Sequence, residues 1–301
     1  MNCFYIFQLK FWCFIPNWFD WLSILVNIVS VAGGYFIATK IYSKEKLDKE
    51  IENESLMASE IKLFRNSLSQ LTAAANDQII NLKQYLEKKD FSLRFNQGVN
   101  ADFLHFIDVK YLYKDSGSEK KSEIARINNL LSNLYALNDF RASLRDEFRS
   151  YMKKFNFHEE KFYLYRKLLY TKYYEICNKR SVDVKIENGI KLWKLNPEDT
   201  FMKNYVQRVQ ETFQDNEIMS DRILINRQKL IEKFIIPLIH ICADYIPDDN
   251  DAIEVADMAN EVNAAYKDME YTSEIHFKAV ESHLAVLENV TAKSIDYLKS
   301  S

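Results

Sequence analysis

Between Asp20 and Lys40 the chain carries nineteen residues, WLSILVNIVSVAGGYFIAT, without one acidic or basic side chain. No other feature limits the possible folds as strongly. About twenty helical residues at ~1.5 Å rise cross a ~30 Å hydrocarbon core. Ser23, Asn27 and Ser30 are polar but tolerable, because a helix satisfies its own backbone in lipid. Trp18, Trp21 and Tyr35 fall near the ends, where amphipathic rings suit the headgroup level, and Lys40 marks the exit. A cleaved signal peptide needs a basic start and a small-residue cut site, and Lys10 alone is a poor start. A helix lying on the lipid surface needs a polar face, which this run lacks. Residues 18–39 therefore read as a transmembrane helix.

Lysine bias sets an expected orientation. Lys40, Lys44, Lys46 and Lys49 follow the run, whereas only Lys10 and the amino terminus precede it. Positive residues stay inside, so the amino terminus is expected outside and the body in the cytoplasm. Four cysteines without paired spacing (Cys3, Cys13, Cys177, Cys242) fit a reducing compartment. Residues 1–17 are apolar and aromatic, are broken by Lys10 and end near Pro16. They read as an interfacial segment, with a short first span forming a hairpin as the alternative.

Beyond the anchor, turn formers are scarce: five Gly and four Pro in 301 residues. Sheets with many tight turns need more of both, so the expected class is all-α, mainly a helical bundle. Residues 40–90 read as a long juxtamembrane helix and 91–301 as a helical cytoplasmic domain. Ile61, Phe64, Leu68, Leu71, Ala75, Leu82 and Tyr85 recur at three–four spacing, with Gln78 the one polar member. That is a coiled-coil-like seam. It could pack on the chain's own domain or join copies of it. Further helices are expected from about Ser122 through Tyr151 and from Glu159 to Asn178. Alternation on both sides of Asn188-Gly189 predicts one β-hairpin over about 182–193, the sole sheet expected. Asn196 is read as the cap of the next helix, with Pro197 at its first position. Pro237 should kink a core helix.

Tests for catalytic motifs return little. The five glycines form no phosphate loop, and His158-Glu159-Glu160 lacks the second histidine of a zinc-protease motif. Glu274-x-His276 and Glu281-x-His283 look like metal ligands, but residues two apart on a helix diverge by about 200°. They read as solvated flanks of a stripe formed by Phe277, Val280, Leu284 and Leu287. No metal and no cofactor is expected. His240 and Asp244, four apart in an apolar stretch, are the weak catalytic candidates and read more simply as a hydrogen-bonded core pair.

Charge is unevenly spread. Residues 149–180 carry an excess of six positive charges among nine aromatics, and residues 244–288 an excess of ten negative ones. Lys153, Lys154, Arg166, Lys167, Tyr170 and Lys172 define a candidate basic-aromatic surface. It could hold lipid headgroups or single-stranded nucleic acid, the latter disfavoured by a net charge of −3. Alternatively, the basic stretch packs on the acidic tail.

A membrane helix followed by a helical body, in a chain rich in Asn, Lys and Ile, resembles bacterial proteins with one inner-membrane span and a cytosolic helical domain. The resemblance is architectural and covers residues 17–90. Some proteins of this plan act in phage defence as membrane-perturbing effectors. It implies a non-enzymatic, membrane-anchored interaction or effector protein. Its expected partners are the bilayer and a protein, or a second copy met through 61–85. The alternatives are a tethered hydrolase or nuclease and an oligomeric coiled-coil scaffold.

Overall fold

The computed structural model describes residues 18–115, 121–187, 190–221 and 223–300. The amino-terminal interfacial segment, the glycine loop at 116–118 and the Asn188-Gly189 turn lie outside them. The chain is 80% helical, with two small antiparallel strand pairs, so the all-α class holds.

Helix α1 (Trp18–Lys88) runs unbroken for 71 residues. It passes through Gly33-Gly34, whose missing side chains would meet nothing within 4 Å. Every described side chain from Trp18 to Leu56 is exposed, and none of the apolar run is buried in protein. The described residues fall into two compact units. In the first, which takes α1 up to Ser67 and residues 103–124, the Phe64 and Phe103 rings lie 5.9 Å apart. Glu60 there accepts a 3.2 Å hydrogen bond from the Asp108 amide. A 3-10 turn (Asp102–His105), helix α2 (Lys110–Asp115) and the link between them supply Leu104, Leu112 and Ile107 to the buried side.

The second unit holds residues 68–102 and 125–301. Its spine is an antiparallel pair: α4 (Phe140–Arg180) against α8 (Asn250–Ser300). Contacts run in opposite directions along the two helices, from Ser143–His283 through Tyr151–Ser273 to Lys172–Glu254. One end of this spine meets α1 and α3 (Lys121–Tyr135), as the Lys83–Glu288 and Asn289–Asn133 contacts show. The helix break expected between Tyr151 and Glu159 occurs instead at 136–139. There, backbone bonds from Leu137 and Asn138 to carbonyls three residues back close a turn.

The seam at 61–85 is buried in the chain's own fold: Leu68, Leu71, Ala75, Leu82 and Tyr85 are all core residues of this unit. Gln78, only 2% exposed, is a structural member of the stripe. Its amide donates to the Arg94 carbonyl at 3.0 Å and its carbonyl accepts from the Asn96 amide at 2.6 Å. One side chain thus replaces a β-ladder for the loop after α1. Gly98 lets that loop close on α1, since a Cβ there would sit 2.9 Å from the Ala74 methyl.

At the other end of the spine lie β1 (Ser181–Glu187) and β2 (Ile190–Leu195), antiparallel with Val184 opposite Trp193. The hairpin is anchored by Trp193, whose indole donates to Asn178 at 2.9 Å and meets Tyr174 edge-on. Helix α5 (Thr200–Gln214) begins three residues later than the sequence suggested. Asn196 spends its side chain on a local turn with the Glu198 amide, and Asp199 caps by accepting from Met202 at 3.0 Å. A second strand pair, β3 (Met219–Ser220) with β4 (Ile223–Leu224), was not expected. Two-residue strands are too short to show alternation. Helix α6 (Arg227–Leu230) passes through a π turn (Ile231–Ile235) into α7 (Ile236–Ala243). The π turn explains how Pro237 is accepted. Its missing N–H falls where the Ile236 amide has already reached five residues back, to Ile231.

Replacing Gln78 with leucine should leave the Arg94 carbonyl and Asn96 amide unpaired and cost about 1–3 kcal/mol. Leucine at the exposed Gln84 should change stability by less than about 0.5 kcal/mol. Urea denaturation of the two variants, followed by helical circular dichroism, checks the difference.

Candidate functional site: the basic-aromatic helix and its cavity

Helix α4 distributes its basic residues between two roles. Lys172 bonds Glu254 at 2.5 Å and lies 3.7 Å from Asp251. Lys179 reaches Asp251 at 3.1 Å. Arg180 binds Asp251 at 2.7 Å, Asp249 at 2.5 Å and Asp199 at 3.4 Å. These residues mate with the acidic start of α8, as the charge split allowed. The geometry also follows the helix dipoles: a cation ends α4, while carboxylates begin α8 and cap α5. Burial alone would raise the Asp249 and Asp251 carboxyls, but hydrogen bonds from Arg180, joined at Asp251 by Lys179, outweigh it and hold both below the usual range.

Lys153, Lys154 and Lys167 are exposed, and none has a carboxylate within ion-pair distance among the described residues. Arg166 is half-buried, and its one close neighbour of note is the Tyr163 ring, 5.7 Å from the guanidinium carbon. Burial lowers its pKa, and the Tyr163 hydroxyl only partly offsets this.

Arg166, Lys167 and Tyr170 line a cavity of about 390 Å³. Its wall is largely aromatic, with Tyr163, Tyr170, Tyr173, Tyr205, Phe213 and Phe234 drawn from α4, α5 and the π turn. Two of the four tyrosine hydroxyls have clear partners: Tyr163 accepts from Arg227 at 2.9 Å and Tyr170 pairs with Tyr174 at 2.7 Å. Tyr205 is 0% exposed and its hydroxyl has no partner among the described residues. Burial drives its pKa well above that of a free phenol. The sequence pattern did not single out Tyr205. It follows Phe201 and Met202 at helical spacing and looks like any core aromatic.

The catalytic candidates fare differently. His240 and Asp244 are both exposed, so the expected core pair does not form. On α7 it is Leu238 and Cys242, together with Ile235 before them, that face inward. Burial pushes the Cys242 thiol up to about 12, so it is a thiol and not a nucleophilic thiolate.

His276, read from the sequence as a solvated flank, is 1% exposed. Its Nδ1 lies 3.1 Å from a Glu147 carboxylate oxygen and its Nε2 lies 2.7 Å from the Tyr85 hydroxyl. The carboxylate can only accept, so Nδ1–H donates to it and the Tyr85 O–H donates to Nε2. The Tyr151 ring stacks on the imidazole at 4.0 Å. This Tyr–His–Glu chain joins α1, α4 and α8, with Tyr85 and His276 buried in the core and the Glu147 side chain 30% exposed. The spacing signal existed: His276 lies one turn before Val280, on the buried side of α8.

Among the described residues no group of three or more His, Cys, Asp or Glu side chains is arranged to hold a metal ion. No family model, no curated protein and no solved structure matches the chain.

Replacing Arg180 with methionine should leave the Asp249 carboxylate without its cation and Asp251 with only Lys179 and Lys172 beside it, and destabilise the protein by about 1–3 kcal/mol, measured by chemical denaturation. His276 gives a pH signature. Burial lowers its pKa, against the raising effect of Glu147. Its contribution is therefore complete above the unfolded histidine value of about 6.5 and is lost as pH falls below it. The melting temperature should drop by a few degrees between pH 7.5 and 5.5, and the drop should shrink in His276→Gln.

Proposed function

We propose that the chain is a non-enzymatic, membrane-anchored interaction or effector protein of a bacterial inner membrane. In this reading the amino terminus lies outside and the helical body in the cytoplasm. The carrying observation is the uncharged stretch of α1, exposed on every side. Nineteen uncharged, mostly apolar helical residues facing water would leave a patch far larger than soluble proteins tolerate, whereas lipid solvates them. Lys40, Lys44, Lys46 and Lys49 support the orientation. The two free cysteines in the body, Cys177 and Cys242, suit a reducing compartment. The bilayer is the partner this reading requires. Association of copies through 61–85 would have to open the fold, because that stripe already covers the chain's own core. A phage-defence effector that perturbs the membrane is the biological role we favour, on the architectural resemblance.

Expressed in bacteria, the full-length chain should sediment with membranes and leave them only with detergent. Deleting residues 1–39 should move the body to the supernatant. A reporter at the carboxyl end should be active in the cytoplasm. Overexpression should depolarise the membrane, and only when residues 1–39 are present. Recovery of full-length chain in a detergent-free supernatant would defeat the anchor, and an unchanged membrane potential would defeat the effector role.

A further inference from the structure

We infer that the cavity beside α4 is a binding site for a small organic anion with a flat apolar body, its anionic group held by Arg166 and its far end near the Tyr205 hydroxyl. This goes beyond the membrane reading and does not rest on it. Three observations on different residues converge. The cavity, about 390 Å³, falls within the ~300–1,000 Å³ range of small-ligand pockets. Its six aromatic side chains suit a planar apolar guest.

Arg166 supplies the charge preference. A half-buried guanidinium without a carboxylate partner has lost water without gaining a counter-ion. The other half-buried arginines of this region, Arg180 and Arg227, are both ion-paired, the latter with Glu159. Arg166 departs from that pattern on the wall of this cavity. An anionic group there would form charge-assisted hydrogen bonds, roughly twice as strong as neutral ones.

Tyr205 supplies the second polar contact. A fully buried hydroxyl without a hydrogen bond is costly, whereas Tyr163 and Tyr170 on the same wall are satisfied. A guest carrying an acceptor or donor at its far end would relieve it. Lys167, exposed at the same cavity, adds a second positive charge toward which an anion is drawn.

The test uses the full-length chain in lipid nanodiscs, with empty nanodiscs as the blank. The probes are 2-naphthoate and its neutral counterpart 2-naphthalenemethanol, titrated by calorimetry. The wild type should bind naphthoate saturably at one site. Arg166→Gln should weaken naphthoate by about tenfold and leave the alcohol within about twofold, since only the charged contact is lost. Val209→Trp, which fills the cavity, should abolish both. Leu224→Trp, on the same cavity wall, serves the same purpose should the first variant lose its helical circular dichroism. No saturable binding above the blank by folded wild type would overturn the proposal. So would equal loss of acid and alcohol in Arg166→Gln, or undiminished binding by a folded cavity-filled variant.

Discussion

One guanidinium determines how the helices of the body meet. Arg180 closes the last turn of α4, and its nitrogens reach the carboxylates that begin α8 and cap α5. Three helix termini, each with unsatisfied backbone groups and a partial charge, converge where a single side chain can serve them. Asp251 is 4% exposed at its side chain and is tolerated there because Arg180, Lys179 and Lys172 surround it. That cluster fixes α4 against α8 at this end of the pair. Arg180 also lies 5.4 Å above the Phe201 ring, which couples the ionic clasp to the apolar core.

The opposite end of the spine is held by different means. His276, Tyr85, Glu147 and Tyr151 form a satisfied polar chain inside an aromatic cluster. Each buried donor in it finds an acceptor. Between the two ends lies the cavity wall, where the Tyr205 hydroxyl has no partner and the half-buried Arg166 has no carboxylate. Other buried polar atoms, such as Asn263 Oδ1, also lack partners, but among the described residues Tyr205 is the one that lines this cavity together with Arg166. That wall, and not the histidine–aspartate pair at 240 and 244, is where this domain differs from a passive bundle.

Much of the fold was legible in the sequence because its elements have periodicity or turn chemistry of their own. The stripe from Ile61 to Tyr85 is buried as its spacing implied, and the Asn188-Gly189 signal sits between two paired strands. What escaped was whatever depends on a neighbour distant in the chain. Gln78 looked like a flaw in the stripe until Arg94 and Asn96 were found on its amide. His276 looked like a solvated flank because the stripe was drawn through Phe277, Val280, Leu284 and Leu287, yet it lies one turn before Val280 and is buried. His240 erred in the opposite sense: an apolar neighbourhood in sequence does not say which face of a short helix turns inward. The π turn could be inferred only as a kink at Pro237, since widening a helical turn and bending it are alternative ways to absorb a proline.

The sequence alone determined the helical class, a run able to cross a bilayer, and the opposite charge of 149–180 and 244–288. These follow from local periodicity, turn-former scarcity and net charge, which need no knowledge of who packs on whom. Only the tertiary structure decided which basic residues are consumed by ion pairs and which remain free. It also decided that Tyr205 is an orphan and that Arg166 faces a cavity. Those outcomes depend on where α5 and the π turn come to rest against α4, and pairings across forty or more residues leave no imprint on local spacing.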